Sequence, residues 1–522
     1  MVKNVIVIMF DTLQFNYIGC YGNDWIKTPN MDRLAREGIL FENNYIEGLP
    51  TVPCRRSMFT GRYHVHSKGW SPLDMEDTTI ADLCWGRPID SALIFDCPMF
   101  RLPKFGYTRG FDKVWFTHGH ELDNYFYEDD PLYHVRPEDY FGKESIAKAR
   151  KALGDKIVDY SLDEIKGYLA QMQYWKGPED HYVARTVGKA IEYLEKVDRN
   201  KQFFLWIDSF DPHEPWNPPS VYMNQPCPYD PDYKGVAEIL PFLGEVDKLY
   251  TEPELHHIRM LYAEMVSLCD TYLGVLMDAV RLMGLEENTL FMLVSDHGSP
   301  MGNGEHGHGI MRKCRPWPYE ELTHAPMILR APGLPSGTRI KTFTQSCDIA
   351  PTVCDWLGIG VHPDMTGKSL LPLVRGEVDK LHDFAVSGYY QGGVAFITED
   401  WYLIHWMCEG KGDKAWIIDA MKNMADSSSD IVKAGGKGSN LDMHDLKDKK
   451  SAADRTKEAY TLNSEEQWTC TPGSSFVMPE EDELYNRKED PFQLNNVVKK
   501  YPEIATELLQ QLRLFLSELK VS

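Results

Sequence analysis

The sequence has little positive charge and no long hydrophobic run. Its 522 residues include 78 Asp and Glu against 55 Lys and Arg, which gives a formal net charge of −23 at pH 7. Such a charge does not attract a phosphate backbone, so nucleic-acid binding is not expected. No apolar run approaches the roughly 20 residues that span a bilayer, and no membrane association is expected either.

Closely spaced cysteine pairs are also missing. The 11 cysteines include no Cys-x-x-Cys pair, which excludes the usual thiolate zinc site and gives no sign of a disulfide framework. The apolar run at residues 5–10 leads directly into Asp11 without a cleavage site. This pattern is typical of a buried strand and not of a signal peptide, so we expect a cytoplasmic protein.

Short apolar runs alternate with amphipathic stretches along most of the chain. The runs at 5–10, 92–95, 203–207, 290–294 and 326–329 read as buried strands, and 31–37, 183–197 and 255–283 read as helices. Apolar strands separated by helical patterns are typical of a parallel sheet that is covered on both faces. The sequence therefore predicts an α/β fold with a large, doubly wound, mostly parallel sheet flanked by helices.

The pattern changes near residue 383. Residues 389–396 and 401–406 read as antiparallel strands joined by turns, and Pro502 begins an amphipathic helix that should pack on them. We expect an α/β domain over residues 1–380 and a smaller C-terminal α+β subdomain over 381–522. A polar insertion at about 424–475 is either a surface excursion or an arm that forms a homo-oligomer.

Polar residues directly follow three of the predicted strands, at the place where α/β sheets bind ligands. Asp11 follows the first run, Asp208 follows another, and the pair Asp296 and His297 ends a third. Oxygen and nitrogen ligands of this kind suit a divalent cation such as Mn²⁺, Zn²⁺ or Ca²⁺. Each aspartate could instead cap the helix that follows it.

The segment LPTVPCRRSMFTGR at residues 49–62 carries another candidate. Pro53 suits the first position of a helix, so Thr51 would stand just before a helix N-terminus, where an anion is favoured. Arg55 could bridge a nucleophile and an oxyanionic substrate. Thr51 could also be a simple N-cap.

These elements occur in the order and spacing of the sulfatase family within the alkaline phosphatase superfamily, which the chain resembles over nearly its whole length. The motifs are NVIVIMFDT at 4–12, TPNMDRL at 28–34, Arg55 with TGR at 60–62, PHEP at 212–215, SDHG at 295–298, GEHG at 304–307, DIAPT at 348–352 and ELYN at 483–486. The resemblance implies an alkaline-phosphatase-like fold. It also implies a metal-dependent hydrolase that cleaves phosphate, phosphonate or sulfate esters of a small anionic molecule.

The resemblance also implies a metal site. Asp11, Asp296 and His297 match the family's ligands for one divalent metal ion, to which the nucleophile Thr51 would also bind. Thr12 stands where many relatives have a second aspartate ligand, and phosphonate-ester hydrolases of the superfamily lack that aspartate too. Thr12 is therefore the weakest candidate ligand.

The nucleophile position departs from the sulfatase pattern. Sulfatases carry Cys or Ser in the pattern Cys/Ser-x-Pro/Ala-x-Arg and oxidise it to formylglycine. Alignment on Pro53 and Arg55 places Thr51 there, and Cys54 does not fit the pattern, so no formylglycine is expected. A formylglycine diol can expel the bound sulfate, whereas a plain threonine ester must be hydrolysed by water. Phosphorus esters are therefore favoured as substrates over sulfate esters. The alternatives are a sulfuric ester hydrolase that works without formylglycine and a catalytically silent relative that binds an anion.

Further positions match substrate-contacting residues of the family. His213 matches a residue that contacts substrate or protonates the leaving group, and Arg312 or Lys313 lies near the family's anion-binding lysine. Asp208, His213 and His306 could form a second metal site, as in two-metal members of the superfamily. His308 adds another imidazole to the same stretch of chain.

Overall fold

A mixed eight-stranded sheet forms the centre of the larger part of the molecule. The computed structural model describes residues 3–101, 105–120, 123, 135–242, 244–302, 308–313, 317–390, 392–406 and 481–519. The described strands are β1 (Asn4–Phe10), β2 (Ile39–Tyr45), β3 (Gly48–Leu49), β4 (Ile89–Phe95), β5 (Lys113–Phe116), β6 (Gln202–Ser209), β7 (Gly244–Glu245), β8 (Thr289–Ser295), β9 (Met301–Gly302), β10 (Ile310–Met311), β11 (Met327–Arg330), β12 (Thr338–Gln345), β13 (Ala385–Tyr389), β14 (Gly393–Ile397), β15 (Trp401–Trp406) and β16 (Glu483–Asn486).

Helices cover both faces of this sheet. The described α-helices are α1 (Pro29–Glu37), α2 (Thr51–Thr60), α3 (Ile80–Cys84), α4 (Pro98–Arg101), α5 (Lys143–Leu153), α6 (Asp155–Glu164), α7 (Lys166–Met172), α8 (Tyr182–Lys196), α9 (Pro219–Tyr222), α10 (Val246–Leu249), α11 (Glu252–Leu282), α12 (Glu320–Thr323), α13 (Ile349–Leu357), α14 (Leu371–Val374) and α15 (Pro502–Leu519). The two largest hydrophobic clusters lie on opposite faces of β1, with Ile6 and Ile8 in one and Val5 and Val7 in the other. This is the arrangement of a doubly wound sheet, as the sequence predicts.

The strand order of the large sheet is β12-β2-β11-β8-β1-β6-β4-β5. Strands β8, β1, β6, β4 and β5 run parallel, whereas β11 is antiparallel to both of its neighbours. The prediction of a mostly parallel sheet is confirmed. The run at 326–329 is a strand, as expected, but it runs against the others.

The register of the central strand β1 determines which strand-end residues lie next to one another. In its two pairings Phe10 lies opposite Ser209 of β6 and opposite Ser295 of β8. Because these parallel strands end at the same level, the residues that follow or close them meet at one edge of the sheet. Asp11 and Asp296 come directly after their strands, and Asp208 is the second-last residue of β6.

A separate five-stranded sheet has the order β16-β15-β14-β13-β3. Its C-terminal strands are antiparallel, as predicted, and α15 packs Leu508, Leu512 and Leu516 against Val394 and Leu403 of this sheet. The fifth strand, β3, comes from the beginning of the chain and pairs in parallel with β13. The domain boundary near residue 380 remains a prediction, and the polar insertion at 424–475 lies outside the described residues.

Helix α11 is the longest of the described helices and begins with a capping box, in which Glu254 accepts hydrogen bonds from the main-chain N–H and hydroxyl of Thr251. Its 31 residues, with a mean hydropathy of 1.2 in the most apolar window, are long and apolar enough to cross a membrane. Of that window 78% is buried inside the molecule, as in the core helix of a globular protein.

Candidate active site

Three buried side chains at the ends of β1 and β8 can hold a cation. The ligand atoms of Asp11, Asp296 and His297 all lie within 4.8 Å of one another, and all three side chains are fully buried. Asp296 Oδ1 accepts hydrogen bonds from the main-chain N–H of Thr12 at 3.0 Å and of His297 at 2.9 Å. Those bonds fix the carboxylate, so that its other oxygen, Oδ2, faces the site.

The protonation state of His297 suits this role. Its Nδ1 lies 2.7 Å from the carbonyl oxygen of Gly298, and a carbonyl can only accept, so Nδ1 carries the proton. Burial lowers the pKa of His297 to about 3, which keeps the ring neutral and leaves a lone pair on Nε2. Two carboxylates and an unprotonated imidazole nitrogen are a donor set that fits one divalent cation.

Thr51 lies directly against this group. Its Oγ1 is 3.3 Å from His297 Nε2 and 3.1 Å from Lys313 Nζ. Since Nε2 has no proton, the hydroxyl donates to it and accepts from the lysine. Helix α2 begins at Thr51, two residues before the helix start suggested by Pro53, so Thr51 is the first residue of the helix and not the residue before it.

Arg55, one turn further along α2, is held by three carboxylates. It donates from Nε and Nη2 to the two oxygens of Asp208, at 3.1 and 2.7 Å, and from Nη1 to Asp296 Oδ2 at 2.5 Å. Its Nη2 is also 3.0 Å from Asp11 Oδ2. Burial alone would lower the pKa of Arg55, but the carboxylates, Asp208 first among them, raise it well above the ordinary value.

Asp208 therefore binds Arg55 with both of its carboxylate oxygens. Burial raises the pKa of Asp208 to about 6, although the charge of Arg55 acts in the opposite direction. The second metal site suggested by the sequence would need this carboxylate, which the structure instead places in a bidentate ion pair. His306, another member of that predicted site, lies outside the described residues.

The structure separates the roles of Arg312 and Lys313. Lys313 Nζ donates to Thr51 Oγ1 and lies 3.3 Å from Asp11 Oδ1. Arg312 instead donates from Nε to the carboxylate of Glu214 and from Nη1 to the carbonyl of Pro241. Of the two candidates, Lys313 is the one that the structure brings to Thr51.

His213 lies on the loop after β6, where its ring stacks on Phe210 with a centroid separation of 4.0 Å. Its Nδ1 is 2.6 Å from the carbonyl oxygen of Glu214 and must donate to it. Burial, together with the charge of Lys313 nearby, lowers the pKa of His213 to about 3. The neutral ring thus has a lone pair on Nε2 and no proton there to give to a leaving group.

The remaining sequence candidates lie apart from Thr51 or make other contacts. His308 bonds to Glu321 at 3.2 Å and to the carbonyl of Gln493 at 3.0 Å. Thr12 has a left-handed backbone with φ of 57°, and within the described residues its buried Oγ1 makes no hydrogen bond. Cys54 is fully buried, and burial raises the pKa of its thiol well above the ordinary value.

Two contributors were not singled out from the sequence. Glu214 is part of the PHEP motif, and the only sequence signal for its role is its position next to His213. Tyr262 on α11 donates its hydroxyl proton to the carbonyl of Thr12 at 2.7 Å and accepts from the main-chain N–H of Gln14 at 2.9 Å. This contact supports the turn after Asp11, and its sequence separation of about 250 residues leaves no local signal.

Comparison with protein families gives two matches. The sulfatase family matches residues 3–359. A second family, described as the C-terminal part of N-sulphoglucosamine sulphohydrolase, matches residues 304–422.

Similar curated proteins have different named activities. An arylsulfatase of Clostridium perfringens is 25% identical in an alignment 416 residues long that covers 74% of this chain and 81% of that protein. An N-acetylglucosamine-6-O-sulfatase of Bacteroides thetaiotaomicron is 24% identical in an alignment 459 residues long that covers 74% of this chain and 73% of that protein. A multifunctional alkaline phosphatase superfamily protein of Trinickia caryophylli is 26% identical in an alignment 409 residues long that covers 71% of this chain and 77% of that protein.

Solved structures share the fold at low identity. A phosphonate monoester hydrolase of Agrobacterium radiobacter superposes with a TM-score of 0.66 at 19% identity, covering 99% of this chain and 96% of that one. A protein solved in complex with its substrate D-glucosamine-2-N,6-O-disulfate superposes with a TM-score of 0.63 at 19% identity, covering 100% and 99% of the two chains.

Proposed function

Because the chain belongs to the sulfatase family and is a hydrolase of ester bonds, we propose that it cleaves singly charged phosphorus esters with Thr51 as an unmodified nucleophile. The observation that carries the proposal is the position of Thr51 Oγ1, which lies 3.1 Å from the ammonium group of Lys313 and 3.3 Å from Nε2 of the candidate cation ligand His297. A hydroxyl with a positive charge at hydrogen-bond distance loses its proton more readily.

The family is metal dependent, and Asp11, Asp296 and His297 are the residues that would hold the cation. A divalent cation there supplies Lewis-acid chemistry: it lowers the pKa of a neighbouring hydroxyl and offsets the charge that builds up on the substrate oxygens. We infer a single cation, since both oxygens of Asp208 already accept hydrogen bonds from Arg55.

Charge balance favours a substrate with one negative charge. Arg55 and Lys313 bring two positive charges, and Asp11, Asp208 and Asp296 bring three negative charges, all on side chains that are at least nine-tenths buried. A divalent cation turns this excess of one negative charge into an excess of one positive charge. A phosphodiester or phosphonate monoester carries one negative charge, whereas a phosphate monoester carries about two at neutral pH. A singly charged ester therefore leaves no net charge among these buried side chains.

The proposed reaction has two displacements at Thr51. In the first, an Oγ–phosphorus bond forms, the bond to the leaving oxygen breaks, and the hydroxyl proton ends on the released alcohol or phenol. Lys313 and Arg55 stabilise the negative charge of the transition state. In the second, water attacks phosphorus, and the Oγ–phosphorus bond breaks with return of a proton to Thr51.

His213 has a different place in this scheme from the one that the sequence suggests. A proton donor to the leaving oxygen needs an N–H, and the neutral ring has its only proton on Nδ1, bound to the carbonyl of Glu214. We therefore propose that Nε2 accepts a hydrogen bond from the attacking water and orients it in the second displacement, in which the proton of that water ends on Thr51 Oγ. Leaving groups of low basicity should then be cleaved with little dependence on His213 in the first step.

Sulfate esters are the second candidate substrate, because two of the relatives above are named sulfatases. Sulfate monoesters also carry one negative charge, so charge balance does not distinguish them from phosphodiesters. The choice between sulfate and phosphorus esters rests on Thr51. Its sulfate ester must be hydrolysed by water, because threonine cannot expel sulfate as a formylglycine diol does.

The test is a side-by-side assay of Mn²⁺- or Zn²⁺-loaded protein on aryl esters with the same p-nitrophenyl leaving group: a phosphodiester, a phosphonate monoester, a phosphate monoester and a sulfate. We expect the first two to be cleaved fastest. Thr51→Ala should abolish turnover, whereas Thr51→Ser, which keeps a hydroxyl, should retain part of it. Full activity of Thr51→Ala would refute the nucleophile, and a preference for the sulfate would refute the substrate class.

A further inference from the structure

One acidic residue joins the two loops that carry His213 and Lys313. Glu214 is buried, with 1% of its surface exposed, and follows His213 on the loop after β6. Its carboxylate accepts a hydrogen bond from Arg312, the residue directly before Lys313. Burial alone would raise the pKa of Glu214, but the charge of Arg312 lowers it well below the ordinary value.

Glu214 uses its main chain as well as its side chain. Its carbonyl oxygen accepts the Nδ1 proton of His213 at 2.6 Å, which selects the tautomer with the lone pair on Nε2. One residue thus fixes the ring of His213 through its carbonyl and contacts the Lys313 loop through its carboxylate.

The backbone of Arg312 has an unusual conformation at the place where this ion pair forms. Arg312 has a φ of 67°, in the left-handed region that glycine adopts readily and other residues adopt at a cost. This conformation sends the arginine side chain to Glu214 while the next side chain, Lys313, reaches Thr51 Oγ1 at 3.1 Å. The two neighbouring side chains therefore contact different partners on either side of a tight turn.

The loop has a second anchor on the small sheet. The hydroxyl of Tyr389, the last residue of β13, donates to the carbonyl oxygen of Lys313 at 3.1 Å. This bond fixes the main chain of Lys313 from one side, and the pair of Glu214 with Arg312 fixes the preceding residue from the other. These two contacts hold the main chain from which the Lys313 side chain reaches Thr51, and Nζ also forms an ion pair with Asp11 Oδ1 at 3.3 Å.

We propose that Glu214 is a positioning residue, which acts through Arg312 to hold Lys313 Nζ on the nucleophile. The proposal rests on the proposed function only in taking Lys313 as the group that acts on Thr51. It predicts that the carboxylate of Glu214 matters for turnover only while Lys313 is present.

The experiment is a double-mutant cycle between Glu214→Gln and Lys313→Ala, measured on the ester that the wild-type enzyme cleaves fastest. We expect Glu214→Gln to lower kcat by about 10-fold to 100-fold, since small misplacements of a catalytic group have effects of that size, with little change in KM. In the Lys313→Ala background the same substitution should leave kcat nearly unchanged. The loss of thermal stability caused by Glu214→Gln should change much less between the two backgrounds than kcat does, because Arg312 is the charge that stabilises Glu214 most and Lys313 contributes less.

Arg312→Gly separates positioning from folding. Glycine adopts the left-handed backbone without the cost that arginine incurs, but the substitution also leaves the buried Glu214 without its cation, so a purely structural role predicts lower stability with normal kcat. The positioning role predicts the same fall in kcat as Glu214→Gln and no further fall in the double variant. As a control, Glu37→Gln removes the ion pairs of Glu37 with Arg281 and Arg330. Arg330 lies opposite Phe291 near the start of β8, at the other end of that strand from Asp296, so this substitution should leave kcat unchanged.

Two results would overturn the proposal: an equal fall in kcat from Glu214→Gln in both backgrounds, and a normal kcat for Arg312→Gly. Thr51→Ala, assayed alongside, tests the proposed function separately. Activity in that variant would show that Thr51 is not the nucleophile. The double-mutant cycle would still measure the coupling between Glu214 and Lys313.

Discussion

At the scale of single residues, Arg55 is the most constrained side chain of the site. It is fully buried and shares Asp11 and Asp296 with the cation that these residues would hold. Of the three carboxylates described at Arg55, Asp208 is the one that does not belong to the cation cluster. Asp208 therefore keeps the guanidinium from competing with the cation for the other two carboxylates.

This arrangement predicts that Asp208→Asn weakens cation binding. The amide has one acceptor oxygen in place of two and no charge, so Asp11 and Asp296 would have to balance the charge of Arg55 without the third carboxylate. We expect the affinity for Mn²⁺ or Zn²⁺ to fall by about 10-fold to 100-fold, the usual effect of losing a residue that supports metal ligands. Calorimetric titration of the metal-free protein with Mn²⁺ or Zn²⁺ measures this affinity.

The matched control lies one residue further along the helix. Arg56 donates to Asp77 from Nε at 3.0 Å and from Nη2 at 2.7 Å, so Asp77→Asn breaks a comparable buried ion pair outside the cation cluster. It should lower the free energy of unfolding without changing cation affinity. If Asp208→Asn binds the cation as tightly as the wild type, the shielding role of Asp208 is wrong.

Cys54 gives a second prediction at this scale. Its thiol is fully buried inside α2, and burial raises the pKa of Cys54 well above the ordinary value, so neither a thiolate nor a formylglycine is expected to act there. Cys54→Ala should keep most of the wild-type activity, measured on the same ester as Thr51→Ala. Loss of turnover by a correctly folded Cys54→Ala protein would favour a cysteine-based mechanism.

At the scale of elements, the turn after β8 leaves no room for a side chain. A Cβ on Gly298 would lie 2.0 Å from the carbonyl oxygen of Glu321 on α12. The carbonyl of Gly298 also accepts the Nδ1 proton of His297. Any shift that relieves the clash must therefore move the acceptor that orients a predicted cation ligand.

Gly298→Ala should accordingly affect both stability and cation binding. We expect the free energy of unfolding to fall by about 1–3 kcal/mol, as is usual for overpacking, and the cation affinity to fall with it. Gly333→Ala is a useful comparison, because Gly333 has open space around its Cβ position but a φ of +78°; it should cost stability without changing cation affinity. Wild-type cation affinity in Gly298→Ala would contradict the link to His297.

The segment between β2 and β3 contains a carboxyl group that should make stability depend on pH. Glu47 is fully buried and accepts hydrogen bonds from the main-chain N–H of His64 and of Val65, each at 2.6 Å. Burial raises the pKa of Glu47 from 4.5 to about 7. A raised carboxyl pKa means that the folded protein binds a proton more tightly than the unfolded chain does.

The contribution of Glu47 to stability is therefore fully present below pH 4.5 and is lost as the pH rises through 7. The shift corresponds to about 3 kcal/mol. Glu47→Gln stays neutral, so its free energy of unfolding should rise relative to the wild type between pH 5 and pH 8. Denaturant unfolding of both proteins at the two pH values tests this, and a pH-independent difference would contradict the raised pKa.

The sequence predicts elements well where their pattern is local. The runs that became β1, β6 and β8 are continuously apolar, and the acidic residues after them mark the correct edge of the sheet. Strand β12 was not predicted, because several of its residues alternate with exposed polar ones. Helix α2 begins earlier than Pro53 suggests, since Pro50 stands at its N-cap and Thr51 opens its first turn.

The parts of the site that were not predicted depend on long-range contacts. Glu214 and Arg312 are 98 residues apart, and no local pattern links a glutamate in a proline-rich loop to an arginine before Lys313. Tyr389 and β3 are further cases, because their roles appear only when the two sheets are brought together.

At the scale of the whole molecule, the two sheets meet at Thr51. Strand β3 belongs to the small sheet, pairing Leu49 with Tyr389 of β13, and ends two residues before Thr51. Tyr389 in turn holds the main chain of Lys313. The small sheet therefore supports both Thr51 and Lys313. Unfolding of this sheet should abolish activity even if the large sheet stays folded.

Leu512 tests this cooperativity from the far side of the small sheet. It is fully buried on α15 among Val394, Phe396 and Leu403, and Leu512→Ala should lower the free energy of unfolding by about 2–5 kcal/mol. Leu514→Ala on the same helix, where the side chain is 61% exposed, should change it by less than about 0.5 kcal/mol. Neither should change kcat of the folded protein.

If the sheets unfold together, calorimetry of Leu512→Ala should show one transition at a lower temperature, and residual activity should be lost over that same range. A protein whose sheets unfold independently would instead show an early transition, shifted by Leu512→Ala, followed by loss of activity at the wild-type temperature. The second result would mean that Thr51 and Lys313 keep their geometry without the small sheet, and the support that β3 and Tyr389 give to the site would be disproved.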